Sequence, residues 1–209
     1  ISRQVLKANG NADFRKIFET DSASIVQYDI VGKFSDSTDE LYPLDSMDKA
    51  DKYSLAAVLF AEWMKDNDKI KRAYLSRGLY LKAAGDLPGA ESAYLKSLLY
   101  AHVVDDSSYM ATNQHNLGIL YSDLGEFQKS INYYDSSLAI RNFIVKKEPT
   151  DWLWERLGGS YWGKAYSLAG LDKYAESVEF YELALASYDS SKSTSASGDK
   201  LTVLGNIAD

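Results

Sequence analysis

The stretch GGSYWGKA from Gly158 has the spacing G-x-x-x-x-G-K, in which bare backbone N–H groups and a lysine grip the phosphates of a nucleotide. Three features argue against that chemistry here. Ala165 stands where a serine or threonine would ligand magnesium, no apolar strand precedes the run, and Tyr161 and Trp162 would crowd a loop that must wrap phosphate closely. The two histidines, His102 and His115, lie far apart in sequence and have no carboxylate at metalloprotease spacing, so a hydrolytic zinc centre is unsupported. The chain has no cysteine, which removes thiolate nucleophiles, disulfides and soft metal sites together. Serines are numerous, but two histidines give no Ser-His-Asp arrangement to defend. The expectation is a chain that is not an enzyme and needs no cofactor or metal.

The remaining side chains are suited to binding. Sixteen tyrosines and four tryptophans invite base stacking, but a formal charge of −7 repels phosphate backbones at long range, so nucleic acid is not an expected partner. Protein or peptide partners fit better. Trp152 and Trp154, in DWLWE, read either as an exposed binding patch or as packing, with at least one of them assigned to packing. No apolar stretch approaches the roughly 18 residues needed to cross a bilayer, so membrane insertion is not expected. The compartment is read as cytoplasmic, with a periplasmic location open if the chain is a fragment of an exported or membrane-anchored protein. A start at Ile1 and a chain end inside LTVLGNIAD both point to a fragment, and the oligomeric state is left open.

Helices must position these residues. The 209 residues are 45% hydrophobic and 25% charged, with three prolines and no alternating β-branched runs, which favours an all-α chain. Three segments then repeat: YLSRGLYLKAAGDLPGAESAYLKSLL from Tyr74, QHNLGILYSDLGEFQKSINYYDSSL from Gln114 and YWGKAYSLAGLDKYAESVEFYELAL from Tyr161. Each places a small residue one turn before a large one: Gly78 before Leu81, Gly118 before Tyr121, Ala165 before Leu168. Each then breaks at a short turn and resumes with packing positions on one helical face. These are Leu87, Ala90, Tyr94, Ser97 and Leu98, then Phe127, Ser130, Tyr134, Ser137 and Leu138, then Tyr174, Ser177, Tyr181, Ala184 and Leu185. Gly85 and Gly125 stand where a helix ends with positive φ, and Asp86 can cap a helix that has Pro88 in its opening turn. Upstream, MDKADKYSLAAVLFAEWM from Met47 is an amphipathic helix with Ala50, Tyr53, Ala57, Phe60, Ala61 and Met64 on a common side.

The small-large interlock, glycine turn and second-helix face together resemble the tetratricopeptide repeat. Gly78 to Gly118 is 40 residues and Gly118 to Ala165 is 47, above the 34 of the standard unit, so the array looks like the longer, kinesin-light-chain-like branch. The resemblance implies an all-α solenoid of helical hairpins coiled as a right-handed superhelix. Residues 1–44 form an N-terminal segment without repeat pattern, and 45–209 form the array. Its units fall at about 71–110, 111–157 and 158–197, with a truncated unit from 198.

The resemblance further implies a concave groove lined by first helices, serving as a non-enzymatic scaffold that binds a protein or peptide. Carried over residue by residue, the groove comprises Arg72, Leu75, Leu79 and Lys82 in the first unit, then Thr112, His115, Asn116, Ile119 and Ser122 in the second. Trp162 and Tyr166 follow in the third, and Asn206 extends the set. Arg72 and Lys82 would supply cationic donors, and Asn116 would hydrogen-bond a peptide backbone. The full carboxylate-gripping set of co-chaperone repeats is not visible. The alternative reading is a sensory or regulatory segment of a larger signalling protein, with its output domain beyond Asp209.

Overall fold

The computed structural model describes residues 2–8, 12–14, 16, 17, 20, 47–192, 202 and 205. These are helical with short connections, and no strand occurs among them. The helices are α1 (Ser2–Lys7), α2 (Met47–Met64), α3 (Asn67–Ala83), α4 (Leu87–Val103), α5 (Ser107–Asp123), α6 (Phe127–Lys147), α7 (Asp151–Ala169) and α8 (Tyr174–Ser190). The fold is therefore all-α, a succession of helical hairpins. It divides into two compact units, Ile1–Tyr109 and Met110–Asp209.

In the first unit, α2 and α3 pair across a tight turn in which Lys65 takes a φ of 56°, and the Asp66 carboxylate accepts from the Lys69 N–H at 3.1 Å to cap α3. The amphipathic side expected of α2 is observed. Ala50, Ala57, Phe60 and Ala61 are buried, and the last three share a core with Ile70, Ala73 and Tyr74 from α3. Val5, Phe14 and Ile17 join this core, so apolar residues of the N-terminal segment cover α2 although they follow no repeat pattern. Between α3 and α4 the chain turns at Gly85, whose φ of 82° a side chain would resist, and Asp86 caps α4 through the Gly89 N–H at 3.0 Å. The Tyr94 ring then beds directly on Gly78.

In the second unit α5 and α6 repeat this arrangement and α7 and α8 follow it. Tyr134 beds on Gly118, and Tyr181 packs with Ala165, in each case sixteen residues apart, as Tyr94 is from Gly78. Buried serines stitch the hairpins. Ser130 Oγ donates to the Gly118 carbonyl at 2.7 Å, and Ser177 Oγ donates to the Ala165 carbonyl at 2.8 Å. Ser97 Oγ reaches the Lys71 carbonyl in the first unit, and Ser137 Oγ reaches the Ala111 carbonyl in the second. A serine is small enough to let the helices close, and its hydroxyl is satisfied by the neighbouring backbone, so its burial carries no unpaired polar group.

Two local features depart from the pattern. Tyr174 holds a packing position in sequence but is 62% exposed, and its hydroxyl turns to Asp172 at 2.8 Å. Its counterpart Phe127 is covered by Gly170 of the following hairpin, a neighbour that Tyr174 lacks among the described residues. The second departure concerns α7, which starts at Asp151 under a Thr150 cap, seven residues ahead of the unit start expected at 158. The DWLWERL run is thereby the opening of a first helix and shares its faces.

Candidate functional site

The residues expected to line a groove lie on three helices. Arg72, Leu75, Leu79 and Lys82 recur along α3 at steps of three and four, all half-buried, while Ala73 and Tyr74 between them enter the core. Thr112, His115, Asn116, Ile119 and Ser122 are half-buried along α5. On α7, Trp162 is half-buried and Tyr166 half-exposed, their rings stacked at 6.0 Å. Asn206 lies outside the described residues. Of this set, His115, Ile119 and Trp162 come together in one pocket of about 370 Å³ in the second unit.

Each wall of that pocket follows from helical spacing. His115 and Ile119 are one turn apart on α5, whereas Trp152, Glu155, Arg156, Gly159 and Trp162 recur at steps of three, one, three and three along α7. Tyr134 and Arg141, two turns apart on α6, close the floor, and Tyr188 of α8 completes it. Of the other wall residues, only Trp152 is among the binding candidates read from the sequence, as part of the DWLWE patch. Arg141 had a legible signal: it occupies a core position in the stripe Tyr134, Leu138, Arg141 and Val145, whose spacing of four, three and four buries every member. Trp152 had another in its position one turn before Arg156, whose guanidinium lies 5.2 Å from the indole centroid. Trp154 takes the packing role, set against Leu138, Val145 and Leu157, and Trp152 is left 48% exposed at the pocket.

The pocket is polar where it is deepest. Arg141 donates through Nη1 to the backbone carbonyl of Arg156, and burial together with the like charge of Arg156 pushes its guanidinium down to about 9, still cationic at neutral pH. The His115 ring stands edge-on to Tyr134 at 5.5 Å, and its Nδ1 lies 3.1 Å from Ser160 Oγ. Burial, with Arg141 and then Arg156, holds that imidazole well below its ordinary range, so it is neutral at pH 7. The indole N–H of Trp162 has no acceptor among the described residues.

The G-x-x-x-x-G-K run forms no loop. Gly158 to Lys164 lies inside α7, Gly163 is pressed by Tyr134, and Lys164 Nζ pairs with Asp135 at 2.6 Å while lying 3.9 Å from the Phe180 ring centroid. Its lysine is engaged in structural contacts, and its backbone N–H groups are inside a helix. His102 is exposed in the last turn of α4. Among the described residues no three of His, Asp and Glu gather as a metal would require, and no helix is long and apolar enough to cross a membrane.

No curated protein sequence matches the chain. Among solved structures it is similar to BtubC (BKLC) from P. vanneervenii, with a TM-score of 0.67 and 17% identity over 99% of this chain and 82% of that one. That likeness establishes the fold. The family described as Tetratricopeptide repeat matches residues 70–142, the span from α3 into α6 that contains the Gly78–Tyr94 and Gly118–Tyr134 hairpins. This family serves in general as a scaffold for protein interaction and is not generally catalytic. Those hairpins, within residues 70–142, match the tetratricopeptide repeat, and the rest of the described chain shares its all-helical hairpin fold.

Proposed function

We propose that the chain is a non-catalytic docking module that holds a segment of another protein against the outward faces of its first helices. One observation carries this reading: His115 and Ile119 of α5 and Trp162 of α7, assigned to a binding face from the repeat register, line a single pocket. A helix face that offers an unsatisfied indole donor, an aromatic wall and cationic groups suits peptide recognition, in which apolar anchors give area and polar groups fix register. Within the first unit, α3 has a docking face of its own in this reading, with Arg72 and Lys82 as donors to an acidic side chain and Leu75 and Leu79 as apolar contacts. Thr112, Asn116 and Ser122 on α5 and Tyr166 on α7 extend the faces that flank the pocket.

The reading is tested by selecting a displayed peptide library on the full chain and measuring the enriched peptides by fluorescence anisotropy. Trp162→Ala should weaken them at least tenfold, and Leu99→Ala, on an exposed face of α4, should leave them unchanged. Failure to enrich any peptide, or equal affinity for the wild type and Trp162→Ala, contradicts it.

A further inference from the structure

Two cations are buried among the described residues, and the fold treats them differently. Lys71 is matched: Asp68 and Asp106 both pair with its ammonium, the latter at 2.8 Å. Arg141, 3% exposed, pairs with no carboxylate among the described residues, and a backbone carbonyl takes one of its five N–H donors. A buried charge without a counter-charge has lost its hydration and gained little in return. Of the groups around it, Arg156 adds a second positive charge, His115 is neutral, and Glu155 shares the lining without pairing with Arg141.

We propose that this pocket is a carboxylate site, in which the Arg141 guanidinium grips the side-chain carboxylate of an aspartate or glutamate in the docked segment. Arg156 closes over it from the rim, and the indoles of Trp152 and Trp162 flank it. The guanidinium fork matches a planar carboxylate through two parallel hydrogen bonds. Charge selects the carboxylate over a phosphate: Arg141 and Arg156 against Glu155 leave the pocket with one net positive charge, which balances one carboxylate, whereas a phosphate group carries up to two negative charges. The site is a cationic spot on a chain whose formal charge is −7, so an acidic segment is attracted here and repelled by most of the remaining surface. A segment passing along the helix faces presents side chains to the pocket, and in this respect the assignment rests on the docking reading above.

The test uses the full chain labelled with ¹⁵N and follows the indole N–H signals of Trp152 and Trp162. The probes are N-acetyl-glutamic acid α-methylamide, its glutamine counterpart, N-acetyl-glutamine with a free C-terminal carboxylate, and inorganic phosphate. The glutamate probe should shift both signals saturably and bind at least tenfold more tightly than the other three. Arg156→Gln, at an exposed position, should reduce that affinity about threefold or more, and Arg141→Gln should abolish it. Equal binding of the glutamate and glutamine probes overturns the site, tighter phosphate overturns the carboxylate preference, and a tighter free C-terminus overturns the side-chain assignment. The wild-type comparisons stand even if Arg141→Gln fails to fold. If the probes fail while selected peptides still depend on Trp162, the carboxylate site falls and the docking reading survives.

Discussion

The ring of Tyr134 lies so close to Gly163 that a Cβ built on the glycine would come within 2.3 Å of the tyrosine Cζ. The same ring covers Gly118 on α5, where a Cβ would fall 2.9 Å from Cε1, so one side chain of α6 is clasped by bare backbone from the helices on either side. This contact fixes α5, α6 and α7 around the pocket that Tyr134 also lines. Gly163→Ala should therefore destabilise the chain by about 1–3 kcal/mol in urea unfolding, since the overpacked ring outweighs the gain in helix propensity. Gly159→Ala on the same helix meets nothing nearer than 3.7 Å and should stabilise by about 0.5–1 kcal/mol. Opposite signs four residues apart test the close approach separately from propensity.

Gly118→Leu extends this test to the other side of the ring. Four added carbons cannot share the space with Tyr134, and the expected outcome is a cooperative loss of at least about 3 kcal/mol. A melting curve equal to wild type would refute the register that pairs Gly118 with Tyr134.

Removing the Arg141 charge should strengthen the fold. Arg141→Met keeps an unbranched stem and deletes an unmatched buried cation, so a gain of about 1–3 kcal/mol is expected at pH 7. The pH dependence has a definite sign. The folded guanidinium is pushed down to about 9, below its unfolded value, so from about pH 9 upward the unfolded state binds more protons at this group and the Arg141 contribution to stability rises with pH. The advantage of Arg141→Met should consequently shrink between pH 8 and pH 10, as followed by urea midpoints.

His115 acts in acid. Its folded-state affinity for a proton is depressed by burial and by Arg141 and Arg156, so its contribution is complete above the unfolded value of about 6.5 and is lost as the pH falls below it. Thermal melts at pH 7.5 and pH 5.5 should show a smaller acid-induced drop for His115→Gln than for wild type.

In the first unit, Asp106→Asn should cost about 1–3 kcal/mol, because the buried Lys71 would lose its more buried counter-charge and keep only the exposed Asp68. Asn at this position can still accept from the Tyr109 N–H that Asp106 caps at 3.0 Å, which isolates the lost charge from the lost cap. Chemical denaturation of the single variant against wild type measures the difference.

The hairpins were legible because their spacing is periodic and their punctuation local. Gly85 and Gly125 take φ of 82° and 73° where the turns were read, and Ser97, Ser130, Ser137 and Ser177 are buried on the faces assigned to them. The pocket was legible only in part. His115, Ile119 and Trp162 follow from the repeat register, but Arg141 arrives from the second helix and Trp152 and Arg156 from a helix start placed too late. A cation on a core stripe is visible in sequence. What it meets depends on which helix faces the stripe, which no local pattern specifies. Core residues such as Val5, Phe14 and Ile17 were not legible, since isolated apolar residues in an irregular segment carry no period.

The docking account is tested most directly by hydrogen–deuterium exchange on the chain with and without a selected peptide. It predicts that added protection concentrates in residues 112–122 of α5 and 152–166 of α7 and disappears in Trp162→Ala. Protection confined to the exposed Leu95, Leu99 and Val103 face of α4, with α5 and α7 unchanged, would contradict it.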